Sequence, residues 1–141
     1  MAVSPWAVYA AAKNHLVSGD IDLDSDSFRL ALYTSASNAL DLVNLSTIGS
    51  VTNECAGPPY TAGGQPLVGV TWGVGVSARQ QKFTSSPVVF SGPIGGIKFA
   101  VVSKTDGRLL CVSQLSASQF SLLAGVPLTI SPVPTGIFTL A

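Results

Sequence analysis

Ile97-Lys98-Phe99-Ala100-Val101-Val102-Ser103-Lys104-Thr105-Asp106-Gly107-Arg108-Leu109-Leu110-Cys111-Val112-Ser113-Gln114 is the stretch on which the fold turns. Two apolar segments, Ile97 to Ser103 and Arg108 to Gln114, flank Lys104-Thr105-Asp106-Gly107. Asp-Gly accommodates the positive φ angles of a tight turn, so the stretch predicts a β-hairpin.

Working outward, Phe28, Leu30 and Leu32 alternate with Arg29, Ala31 and Tyr33, the period-2 pattern of a strand with one buried face. Val70, Trp72, Val74 and Val76 alternate with Thr71, Gly73, Gly75 and Ser77 in the same way. Glycines on that second face predict a bulge or the close approach of a neighbouring element. Downstream, Val126 to Ile130 and Ile137 to Leu140 predict two short strands, separated by the proline-rich stretch Pro132 to Gly136. Fourteen glycines and nine prolines scattered among brief apolar segments break helices and suit short strands. One helix is expected, over residues 4–18. Ser4-Pro5 has the form of an N-cap followed by proline at the first helical position, the run from Trp6 to Val17 is alanine-rich, and Gly19 supplies a stop. The expected fold is all-β, a jelly-roll-like antiparallel sandwich over 20–141 with one short N-terminal helix, the whole chain 1–141 forming a single domain. Ser35 to Gly49 and Cys55 to Pro66 read as long connections, which often serve as contact surfaces.

Composition narrows the function. Hydrophobic residues make up 47% of the 141-residue chain and charged residues 10%, whereas soluble domains carry roughly 25% charged residues. So weakly charged an exterior favours association. Seven acidic and seven basic residues cancel, which leaves no one-signed field for nucleic acid or an anionic membrane. Along the chain the charges separate. Residues 1–55 hold Asp20, Asp22, Asp24, Asp26, Asp41 and Glu54 against Lys13 and Arg29, a net of −4. The remainder holds Arg79, Lys82, Lys98, Lys104 and Arg108 against Asp106, a net of +4. Such a division either complements neighbouring copies or interleaves within one fold. No apolar run reaches the roughly 18 residues of a bilayer span, and no export signal opens the chain, so a soluble, unexported protein is expected.

Each candidate for chemistry has a plainer reading. Asp20-Ile21-Asp22-Leu23-Asp24-Ser25-Asp26 places carboxylates at alternate positions, as a calcium loop does. Counted from Asp20, however, the glycine and glutamate of an EF-hand are replaced by Ser25 and Ala31, and counted from Asp22 by Ser27 and Tyr33. A solvated strand edge or a charged contact patch is the reading preferred, with no metal and no cofactor. His15, the one histidine, would have to serve any catalytic serine or Cys55, yet it sits in the expected helix without a nucleophile elbow around any serine. Cys55 and Cys111 are too few for a disulfide framework and read as buried thiols. Tyr60-Thr61-Ala62-Gly63-Gly64 lacks a phosphate-binding fingerprint and reads as a turn. Trp6, Tyr60 and Trp72 could form a sugar-stacking platform, although the alternating pattern places Trp72 in the core.

Two stretches carry a resemblance. Gly19 to Asp26 leads into Phe28-Arg29-Leu30-Ala31-Leu32-Tyr33-Thr34-Ser35, and Val51-Thr52-Asn53-Glu54 leads into Tyr60 to Gly64. In that order they resemble a family of small virion proteins of tailed bacteriophages, similar to jelly-roll-like podovirus capsid cement and decoration proteins. The likeness spans about half the chain; beyond Val76 only size and β-rich character are shared. Gly57-Pro58-Pro59 departs from the Gly-x-Gly lead-in of that family. The resemblance implies a non-enzymatic protein made in the host cytoplasm and carried on the capsid exterior, where it bridges major capsid subunits. It also implies self-association as a dimer or trimer and no contact with nucleic acid or membrane. Asp20, Asp22, Asp24, Tyr60, Thr61, Gly63 and Gly64 are then the expected partner-contact residues. The competing expectation is a carbohydrate-binding module or tail adhesin.

Overall fold

The hairpin forms the centre of the molecule. The computed structural model describes residues 6–74, 81–131 and 138–140. Among these residues, strands β1 (Ala7–Val8), β2 (Phe28–Thr34), β3 (Gln65–Pro66), β4 (Thr71–Val74), β5 (Gln81–Thr84), β6 (Val88–Ser91), β7 (Ile94–Lys104), β8 (Leu109–Gln114), β9 (Phe120–Leu122), β10 (Pro127–Ile130) and β11 (Phe138–Leu140) accompany one helix, α1 (Ala10–Ser18), and a single 3-10 turn at Ile48–Ser50. All pairings are antiparallel. The chain is thus an all-β sandwich with one short N-terminal helix.

β7 is the spine of the large sheet, ordered β1-β8-β7-β2-β3. β2 runs along one edge of β7 from Phe28↔Lys104 to Thr34↔Ile97. On the other edge β8 pairs from Ser103 to Phe99, and β9 continues the ladder at Ile97 and Ile94. The hairpin turn differs in one respect from expectation. Of Asp106 and Gly107 only Gly107 has positive φ, at 103°. Its N–H returns to the Lys104 carbonyl, and Lys104 N–H donates to the Arg108 carbonyl, each at 2.8 Å. That is a three-residue loop with a bulge at Gly107, and further along the ladder a separate register shift lies between Val102↔Cys111 and Ser103↔Leu109.

Two smaller sheets, β10-β6 and β11-β5-β4, complete the sandwich. Phe83 of β5 meets Phe28 of β2 edge to face at 5.4 Å, and Phe90 of β6 stacks on Tyr60 at 6.0 Å. Phe90, Leu128 and Ile130 join the core that β2, β7 and β8 contribute. Ala31 and Tyr33, expected on an outward face, are buried like Leu30 and Leu32. β2 lies between β7 and β3 and is covered on both faces, where a half-exposed strand was expected.

The helix starts later than residue 4. Ala7 and Val8 pair with Val112 and Cys111 along the free edge of β8, and α1 opens only at Ala10. A short alanine-rich helix is marginal by itself, so ladder bonds and the burial of Trp6 and Tyr9 outweigh propensity there. Tyr9 fixes the junction: its N–H donates to Leu110 O at 3.1 Å and its hydroxyl to Ala39 O at 2.5 Å. Gly19 ends the helix as expected, in the left-handed conformation. Ser4-Pro5, Gly75 to Ser77 and Pro132 to Gly136 lie outside the described residues. At Gly73 an added Cβ would meet nothing within 4 Å among the described residues, so no close approach accounts for that glycine.

Candidate functional site

The aspartate run forms a turn where a strand edge was expected. Its alternation survives: Ile21 and Leu23 are buried, while Asp20, Asp22 and Asp24 are exposed. The turn is closed by its own carboxylates. Asp26 Oδ2 accepts from Asp22 N–H at 2.8 Å, and Asp22 Oδ1 accepts from Asp24 N–H at 2.9 Å. Asp20 Oδ2 lies 3.0 Å from Ser18 Oγ and 3.2 Å from His15 Nδ1 at the end of α1. Lys104 ties the run to the central hairpin, its Nζ 2.7 Å from Asp20 O, 3.1 Å from Asp26 and 3.5 Å from Asp106. The acidic and basic halves of the chain therefore interleave at this point. Among the described residues no group of three or more His, Cys, Asp or Glu side chains could hold a metal ion.

These contacts stabilise the ionised carboxylates. The His15 and Ser18 hydrogen bonds hold Asp20 below its ordinary value of 3.8, and bonds from Ser25 and the Asp24 backbone do the same for Asp22. Asn44 lowers Asp41 by the same means. A carboxyl depressed in the folded state adds stability that is complete above the unfolded value and lost as pH falls through the folded one. The melting temperature is thus expected to hold level from neutrality to about pH 5 and to fall below 3.8. Asp22→Asn should flatten part of that fall when melting is followed by circular dichroism.

Beside the turn lies an open groove of about 440 Å³, lined by Leu16, Gly19, Ile21, Asp22, Leu23, Asp24 and Trp72. Its floor is apolar and its rim is acidic. The Asp24 carboxylate has no partner among the described residues, whereas Asp20, Asp22 and Asp26 are each engaged.

The second expected contact element, Tyr60 to Gly64, is largely an internal lock. Tyr60 is buried; its hydroxyl donates to Glu54 Oε1 at 2.7 Å and accepts from Leu32 N–H at 3.0 Å. The same Glu54 oxygen accepts from Gly63 N–H at 2.7 Å. Arg29 clamps the other side, Nε to Gly63 O at 3.2 Å and Nη2 to Gly64 O at 2.6 Å. Gly64 is buried too, with φ of 72°. Tyr60 and Gly64 are therefore interior groups, Gly63 is half-buried, and Thr61 and Ala62 are the exposed tip. Glu54 and Arg29 carry the turn without having been singled out. The clue was available, since Arg29 is the one charge within β2 and Glu54 ends the stretch that leads into the turn.

Trp6 and Tyr60 are both more than nine-tenths buried, leaving only the half-buried Trp72 of the three aromatics proposed as a sugar platform. The His15 ring and the Ser18 hydroxyl both turn to Asp20, and Ser18 Oγ also donates to the His15 carbonyl at 3.3 Å. Cys55 and Cys111 are free and buried. Burial, with the Glu54 charge in addition, pushes the Cys55 thiol up to about 11, so it is neutral at physiological pH. Among the described residues no helix is long and apolar enough to cross a membrane. No protein-family model, curated protein or solved structure matches the chain.

Proposed function

We propose that this chain is a non-enzymatic structural protein of a phage virion, a cement or decoration protein that binds the outside of the capsid and bridges major capsid subunits. One observation carries the reading: large apolar side chains stand exposed in a chain that carries few charged residues. Val17 is 90% exposed, Val43 78% and Leu123 75%, in a chain of which 10% is charged. Leu123 and Val126 share one turn, closed by Val126 N–H on Leu123 O at 3.1 Å, so two exposed apolar groups are presented together. Isolated exposed apolar residues are ordinary, but clusters on a charge-poor exterior mark surfaces that other proteins cover. The β6–β10 ribbon adds strand edges that stay unpaired among the described residues, which supports self-association. A shell repeats the same patch many times, so modest contacts by each copy accumulate.

The experiment mixes the purified protein with tailed-phage capsid shells that lack it and sediments the shells. Binding at micromolar concentration that saturates at a fixed ratio to the major capsid protein is expected. Protein left entirely in the supernatant would remove the reading.

A further inference from the structure

The turn between β9 and β10 carries five consecutive exposed residues, Leu123-Ala124-Gly125-Val126-Pro127, with no polar side chain among them. An exposed apolar run of that length is unfavourable in water and is kept where function needs it. The run is pinned in place. Val126 N–H donates to Leu123 O at 3.1 Å, and the Val126 carbonyl accepts from Gly92 N–H at 2.9 Å, which ties the turn to the connection between β6 and β7, where Pro93 is exposed as well. Along the ribbon Phe90, Leu128 and Ile130 point to the core, while Val89, 52% exposed, and Pro127 stand on the opposite face. The surface is therefore preformed, and covering it orders little that is not already ordered.

Charge decides what covers it. From Phe83 to Ile97, and again from Leu109 to Ala141, the sequence has no Asp, Glu, Lys, Arg or His, so β6, β9, β10 and the turns at Gly92 and Gly125 contribute no charged side chain. In a two-fold contact a patch meets its own copy, and any charge near the axis meets its like. A patch without charge satisfies that condition, and a partner recognised by opposite charge finds nothing on it to pair with.

We propose that this patch, the β9–β10 turn with the outer face of the β6–β10 ribbon, is a two-fold contact with a second copy of this chain. The inference deepens the cement reading by naming the surface of self-association, and rests on it only for where a dimer acts. Its test needs no shell, so a chain that binds shells as a monomer overturns this inference and leaves that reading standing.

The test is sedimentation velocity of the full-length protein over a concentration series. A monomer–dimer equilibrium half-complete at roughly 10–100 μM is expected, because one turn and a narrow ribbon face make a contact smaller than a standard interface. Leu123→Asp sets like charges against each other across the axis and should weaken dimerisation about tenfold or more. Val43→Asp, the same kind of change at an exposed apolar residue of another loop, should leave it unchanged. Four results would each overturn the proposal: a single monomeric species up to about 1 mM, an undiminished dimer of Leu123→Asp, an equal loss with Val43→Asp, or assemblies larger than a dimer. Circular dichroism checks that the variants are folded. Should Leu123→Asp not fold, Ala124→Asp places the charge at the exposed tip of the same turn and decides the matter.

Discussion

Gly64→Ala is expected to destabilise the protein by about 3 kcal/mol or more, enough to lower the melting temperature by roughly 10 °C. A Cβ at this position would lie 1.9 Å from Leu30 O and 2.7 Å from Ala31 Cα. Both atoms belong to β2, which β7 and β3 hold from either side, so neither can retreat without breaking ladder bonds. The positive φ adds a further cost for any side chain. Gly19→Ala is the matched control. Gly19 has a similar φ of 87°, but an added Cβ meets nothing within 4 Å. Its cost should be backbone strain alone, about 1 kcal/mol. Urea denaturation of the two variants separates the clash from the strain; equal losses would show that the turn does not sit against β2 as described.

The second large effect concerns the Glu54–Tyr60 pair. Tyr60→Phe removes an acceptor from Leu32 N–H and a donor from Glu54 while keeping the ring on Phe90. A buried backbone N–H left without a partner costs about 2 kcal/mol. Glu54→Ala strands both the Tyr60 hydroxyl and Gly63 N–H, and a loss of about 2–3 kcal/mol is expected, because the bonds end on a charged group. The double variant should fall short of the sum by about 1 kcal/mol, since the two residues share one hydrogen bond. Full additivity in urea denaturation would mean that the shared bond contributes nothing.

These two predictions fall on a motif whose location in the sequence was legible and whose role was not. Tyr60 to Gly64 stood out as a turn, but a tyrosine between Pro59 and Thr61 gives no sign of its burial. That depends on Phe90, thirty residues downstream, and on a backbone N–H of β2. The central hairpin was legible because turn chemistry and hydrophobic period agree over contiguous residues. Its bulge was not, as the Asp-Gly pair serves more than one turn type. The same division holds at β2. Its alternation predicted a strand, but Arg29 sits on a face whose other members, Ala31 and Tyr33, are covered by distant segments. At the N-terminus local propensity misled: alanines predicted helix from residue 4, while the open edge of β8 drew Ala7 and Val8 into a ladder. Among the aspartates, spacing gave the right sidedness, with Ile21 and Leu23 inward, and missed the turn that their own carboxylates close.

What links these parts to function is the division of polar groups. Most of the conspicuous ones are spent inside the fold, on the Glu54–Tyr60–Arg29 lock and on the Lys104 ties. Among the described residues the exterior keeps large exposed apolar side chains such as Val17, Val43 and Leu123. Exposed apolar side chains of this kind are what the proposed contacts, with capsid subunits and between copies, would cover.

Electron cryomicroscopy of tailed-phage shells incubated with the purified chain examines that conclusion at its source. The account predicts added density at symmetry-repeated positions on the outer face, with Val17, Val43 or the aspartate turn against capsid subunits. Bare shells, together with a chain that sediments as a monomer at high concentration, would contradict it.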